Sequence, residues 1–153
     1  MADDPMTLAG QPAVIAHVGY LQDAIKRMAD NSASAKGWCL TLVSALIGLA
    51  SLAHAKEVTA VILVPLVVFG FLDAMYLAQE KAFRVLYDTI VCKIRTGAYG
   101  ADDLFNMRAG ITRKKFAEAL SSWAVFPVYF GLALAYLVAL EGGWLDSLTA
   151  SGR

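Results

Sequence analysis

GWCLTLVSALIGLASLAHA, residues 37–55, is followed after only Lys56 and Glu57 by VTAVILVPLVVFGFLDAMYLA, residues 58–78. Roughly 20 mostly apolar residues suffice for a helix to cross the hydrocarbon of a bilayer. The second run rises about 31 Å at 1.5 Å per residue, enough to span it. A third apolar run covers Ser121–Leu140. The chain is 58% hydrophobic with a mean hydropathy of +0.56. A soluble core of 153 residues does not need three such runs. The expected fold class is therefore all-α: a polytopic membrane protein with three transmembrane helices and a cytoplasmic helical layer.

Charge sets the expected orientation. Thirteen Lys+Arg balance thirteen Asp+Glu, so net charge suggests no nucleic-acid partner. The distribution is uneven. Lys26, Arg27 and Lys36 precede the first run, and Lys81, Arg84, Lys93, Arg95, Arg108, Arg113, Lys114 and Lys115 lie between the second and third. Only Lys56 and Arg153 fall elsewhere. Positive residues concentrate on the cytoplasmic side, so the N-terminus and residues 79–120 are expected there, with a periplasmic C-terminus. Ala53-His54-Ala55 fits a signal-peptidase site. Retention of the segment is expected, because cleavage would separate the two halves of the hairpin.

The expected organisation follows. Residues 1–12 form a disordered tail, and 13–36 an amphipathic helix and linker. The transmembrane hairpin covers 37–78, a cytoplasmic helical segment 79–120, and the third span with its tail 121–153. Ile15, Val18, Leu21, Ile25 and Met28 recur at helical spacing over 13–29. Asp30-Asn31-Ser32-Ala33-Ser34 is read as a helix stop and new N-cap. The second helix shows no stop at the membrane. Phe83, Leu86, Tyr87, Ile90, Val91 and Ile94 continue it as one apolar stripe, ended by Gly97 and Gly100. These two stripes are expected to pack on each other or on a neighbouring subunit. Ala101–Met107 is read as a short helix, and Thr112 as the cap of a helix over Arg113–Leu120.

Asp73 is the residue most out of place, a carboxylate inside an apolar run. Such groups face protein or water rather than lipid. Thr41 and Ser44 lie opposite it if the hairpin turns at 56–57, and are its expected partners. A symmetry-related Asp73 around a central path is the pore alternative. Gly48 and Ser51 with Ser44, and Gly131 with Ala135 and Ala139, place small residues at three- or four-residue steps, suited to close helix packing within or between protomers. Pro65 and Pro127 lie in the second and third runs, where each frees a backbone carbonyl. Arg108, Arg113, Lys114 and Lys115 are the expected contacts for lipid head groups or a phosphate ligand. Cys39 and Cys92 are read as small hydrophobes, and with His17 and His54 they make no metal pattern. No Gly-rich phosphate loop or Ser/His/Asp set is present. No enzyme activity, metal or cofactor is expected.

Arg27-Met28-Ala29-Asp30-Asn31-Ser32, then Lys36-Gly37-Trp38, then Leu72-Asp73-Ala74-Met75-Tyr76-Leu77 and Glu80–Tyr87 resemble a family of small, uncharacterised bacterial inner-membrane proteins. The resemblance covers residues 14–95. Asp30 stands where a less charged residue is the family's pattern. The family is similar to membrane effectors of antiphage systems. The resemblance implies an oligomeric inner-membrane protein that permeabilises the bilayer, with a soluble protein or nucleotide signal as cytoplasmic partner. Two other functions fit the residues: a membrane anchor docking a soluble partner through the two stripes, and a minimal proton-coupled transporter using Asp73.

Overall fold

Pro12 opens a helix that runs without interruption to Ala53, α1 (Pro12–Ala53). It turns back through a second long helix, α2 (Leu63–Arg95), followed by α3 (Arg113–Leu120) and α4 (Phe126–Glu141). The computed structural model describes residues 9–53 and 61–141. The expected turn at 56–57, the tails, and the Ser51 and Ala139 side chains lie outside the described residues. α1 and α2 pair as an antiparallel hairpin, and α3 and α4 lie on α2. Both hairpin helices are long and apolar enough to cross a membrane.

The expected break at Asp30–Ser34 is absent, because all five residues are helical. Small polar residues favour caps only when their side chains turn onto the local backbone. Here Ser32 is buried and its hydroxyl points to α2 instead. Tertiary contact overrides propensity. α1 buries Val14, His17, Leu21, Ala24, Ser32, Ala35, Cys39 and Val43, a seam of three- and four-residue steps in which half-buried Met28 bridges Ala24 and Ser32. Ile15 faces outward, while Leu21 is buried and Val18 packs on the core, so the N-terminal stripe departs from its expected position at its first residue.

α2 buries Leu66, Gly70, Ala74, Ala78, Ala82, Ile90 and Ile94. These lie on one four-residue ridge, small in the middle and large at the ends. The packing stripe of small residues is therefore on α2. Gly48 and Gly131, expected to pack closely, meet no atom within 4 Å of a Cβ placed on them, and Ser44 and Ala135 are exposed. Among the described residues, Gly48 and Gly131 have no close-packing partner.

Two cores result. One joins Val14 and Leu21 of α1 to Ile90 and Ile94 of α2 and to Tyr99, with Val18, Phe83, Leu86 and Tyr87 against them. The expected meeting of the two stripes is thus realised inside one chain. The other joins Cys39 and Val43 to Ile62, Leu66 and Tyr136. α2 ends as expected at glycine: Gly97 has φ 69°, open to a residue without Cβ, and Ala98 N–H returns to the Lys93 carbonyl at 2.9 Å. Residues 101–105 form turns and 106–107 are irregular, rather than the expected short helix. Thr112 does cap α3, its hydroxyl accepting from the Lys115 amide at 3.4 Å.

Among the described residues the third run does not form the expected span. α4 has 16 residues, about 24 Å of rise, below the length that crosses hydrocarbon. Ser121–Val125 are non-helical. Pro127 lacks an N–H and its ring would clash with the carbonyl four residues back, which disfavours a helix running on through Trp123. Pro127 sits instead in the first turn of α4, where no donor is required. Pro65 likewise lies in the first turn of α2 rather than mid-helix.

Candidate functional site

Asp73 is fully buried between the hairpin helices, and its partners come from the turn of α1 preceding the first apolar run. Lys36 Nζ donates to Asp73 Oδ1 at 2.8 Å and lies 2.6 Å from Oδ2. The Oδ2 contact is electrostatic, without hydrogen-bond alignment. Ser32 Oγ donates to Oδ1 at 2.5 Å and accepts from Lys36 Nζ at 3.0 Å. The three groups close a triangle in which charge is matched. The Lys36 side chain is 24% exposed, Asp73 not at all, so the ammonium connects the buried carboxylate to the surface along its own stem.

The expected partners are therefore corrected. Thr41 is exposed and donates to the Gly37 carbonyl of its own helix, and Ser44 is exposed. The physical reason is register. Asp73 meets Ser32 and Lys36 rather than Thr41 and Ser44, a displacement of one turn or more along α1. The carboxylate thus lies level with the entry to the apolar run, not within it.

α4 completes the site. The Tyr129 ring lies against Gly70, 3.4 Å from where a Cβ would stand. Its hydroxyl is buried beside Asp73 without completing an aligned hydrogen bond. Sequence reading missed Tyr129, and its signal was weak: one aromatic in a run of apolar residues. Cys39 Sγ approaches the Pro65 carbonyl at 3.8 Å.

A second cluster lies toward the start of α1. His17 is fully buried, with Nδ1 2.8 Å from the Tyr99 hydroxyl and Nε2 3.3 Å from the Asn106 carbonyl. The carbonyl can only accept, so Nε2 donates to it, and in a neutral imidazole Nδ1 then accepts from the Tyr99 hydroxyl. Phe105, at φ 58°, sets its ring 6.0 Å from that of His17. Lys93 donates to Asp103 at 2.5 Å. That hydrogen bond holds the Asp103 carboxyl below its ordinary range, while burial and then the Asp103 charge push the Tyr99 hydroxyl up. The 96–112 loop is thereby fastened to α1. His17, read from sequence only as part of no metal pattern, is the residue that fastens it.

Of the basic residues, Arg108, Arg113 and Lys114 are exposed, and Lys115 Nζ donates to the Gly110 carbonyl at 3.1 Å. An open groove of about 420 Å³ runs between α1 and α2, lined by Gln22, Lys26, Arg84, Tyr87 and Asp88 among others. Among the described residues, no three His, Cys, Asp or Glu side chains converge as metal ligands would. Comparison with protein-family models, curated proteins and solved structures finds no match for this chain.

Proposed function

We propose that the chain is an integral protein of the bacterial inner membrane, with the α1–α2 hairpin crossing the bilayer and residues 12–36 and 76–120 on the cytoplasmic side. In this reading it acts as an oligomeric effector that perturbs the bilayer. The observation that carries it is the outer surface of the hairpin. Over 38–49 and 61–72 the exposed side chains include Trp38, Leu40, Leu42, Ile47, Leu49, Val64, Val67, Val68 and Phe71. Water does not favour such a continuous apolar face, and lipid does. The Lys36–Asp73 pair stands where this face ends. Separating the pair would leave a charge at the head of the apolar half, and a charge there draws water into the bilayer. Second copies would supply the rest of any path, through the exposed Gly48 and Gly131 faces.

The test is expression in bacteria with a potential-sensitive dye. Loss of membrane potential on expression, abolished by Val67→Lys, is the expected result. A normal potential with the protein abundant in the membrane fraction would sink the effector reading. A second reading, a membrane anchor for a soluble partner, is favoured by one observation: Asp73 is buried and held within the protomer by Lys36 and Ser32. Under it, the potential stays normal and a soluble protein co-fractionates with the chain.

A further inference from the structure

The α3–α4 corner lies where the two kinds of hairpin surface meet. Phe116 of α3 sets its ring 5.2 Å from that of Phe71. Phe71 is on the outer face of α2, two residues before Asp73, so it belongs to the last turn of the apolar half. α3 therefore crosses α2 at the boundary. Immediately after it, Trp123 is 90% exposed. Phe126, Phe130, Leu134 and Leu137 continue along α4 as further exposed apolar side chains. Trp38 is exposed on α1 two residues after Lys36. Two indoles thus flank one level of the molecule, as they do at the polar edge of a bilayer.

The cations at this level are not equivalent. Lys36 is held by Asp73 and Lys115 by the Gly110 carbonyl. Arg113 and Lys114 are exposed, and the acid-pairing cations among the described residues are Lys36, Arg84 and Lys93. Glu118, one turn on, is beyond ion-pair distance of both. We propose that Arg113 and Lys114 form, with Trp123, a site for the phosphate head group of an anionic phospholipid. The guanidinium binds the phosphate oxygens as a planar fork and the ammonium adds a point charge. The indole fits the region between head group and acyl chain. Charge complementarity and continuity with the apolar α4 face select lipid over a soluble anion. The proposal rests on the membrane reading above and adds a preference for lipid charge.

Trp123 is a built-in probe. In the full chain carrying Trp38→Phe and Trp144→Phe, Trp123 fluorescence is measured in vesicles containing brominated phosphatidylglycerol or brominated phosphatidylcholine at equal mole fraction. Quenching by the anionic lipid is expected to exceed that by the neutral one roughly two-fold or more, since each surface cation enriches anionic lipid near it. Arg113→Gln with Lys114→Gln should equalise the two while leaving quenching by the neutral lipid intact. Equal quenching in the parent, or a preference unmoved by the double variant, overturns the proposal. So does loss of the preference with millimolar inorganic phosphate at constant ionic strength, which would make the site one for a soluble anion. A companion chain with Trp38 as its single tryptophan separates the two claims. Quenching of Trp38 by both lipids without preference at Trp123 removes the site alone, and quenching of neither indole removes the membrane reading as well.

Discussion

The two halves of the α1–α2 hairpin have similar insides and opposite outsides. Each is sealed by large aliphatic side chains with an aromatic docked from a later segment: Tyr99 beside Leu21 and Ile90 in one half, Tyr136 beside Val43 and Leu66 in the other. Outside, the half nearer the N-terminus carries Gln22, Asp23, Lys26, Arg27 and Asp30 on α1 and Arg84 and Asp88 on α2. The other carries valines, leucines and phenylalanines. The difference teaches that the core of such a helix pair says little about its solvent. The outer face decides, and the boundary falls at Lys36 and Asp73, where both descriptions meet.

The strongest test acts on that boundary. Lys36→Leu strands a buried carboxylate and should destabilise the hairpin by about 3 kcal/mol, the lower end for a broken buried pair because Lys36 is partly solvated. Asp73→Leu should be milder, since the released ammonium can turn to water. The double variant should recover much of the loss. Thermal unfolding in detergent, followed by circular dichroism, reads all three. Equal losses for the two single variants would mean that the asymmetry of burial has no energetic consequence.

The comparison of outer faces is broken or sharpened by paired substitutions. Val67 is 71% exposed in the apolar half and Val85 is 55% exposed in the other. Val67→Lys should cost insertion about 2.5 kcal/mol. Val85→Lys should stay within about 0.5 kcal/mol, as exposed surface changes in water do. Carbonate extraction of membranes measures the inserted fraction. If both variants behave alike, the two halves share one solvent and the membrane reading fails.

His17→Ala tests what fastens the 96–112 loop. It removes the acceptor for Tyr99 and the donor for Asn106, with an expected loss of about 1–3 kcal/mol. Hydrogen exchange should rise at residues 96–112 and stay unchanged in the half containing Asp73. Faster exchange throughout would show that the two halves unfold as one unit.

Much of this was legible in the sequence, for identifiable reasons. The continuous α2 showed because its apolar stripe passes through the charged residues after Ala78 without a glycine or proline. The α3 cap showed because Thr112 precedes a short amphipathic run. What failed were readings that depend on partners. Ser32 reads as a cap until Asp73 is placed opposite it. Thr41 reads as the partner of Asp73 until the register is fixed, and register is a property of two helices and their turn. The third run reads as a span from composition alone. Ser121, Ser122 and Pro127 carried the opposite signal, outweighed by the apolar residues around them. Tyr129 and His17 are invisible for the same reason, since their roles exist only when α4 and the loop fold back.

The smallest expected effect is at the Lys93–Asp103 pair, on the polar side. Lys93 is 41% exposed and Asp103 15%, so solvent screens the pair, and Asp103→Asn should cost about 0.2–1 kcal/mol near neutral pH. The sign of its pH dependence follows from the shift. The Lys93 hydrogen bond holds the Asp103 carboxyl below its ordinary range, so its contribution is complete above an unfolded value of about 3.9 and is lost as pH falls through the lower folded value. Tyr99 sets the opposite limit. Burial raises its hydroxyl, so its contribution is complete below about 10 and is lost as pH rises through the higher folded value. Loop stability, read by hydrogen exchange corrected for the intrinsic rate, should therefore show a shoulder at acid pH that Asp103→Asn removes. The shoulder should not appear in the apolar half, where the described residues place no carboxylate on the outer face. An acid shoulder that survives Asp103→Asn would assign it to another carboxylate and leave Lys93 without a measurable partner.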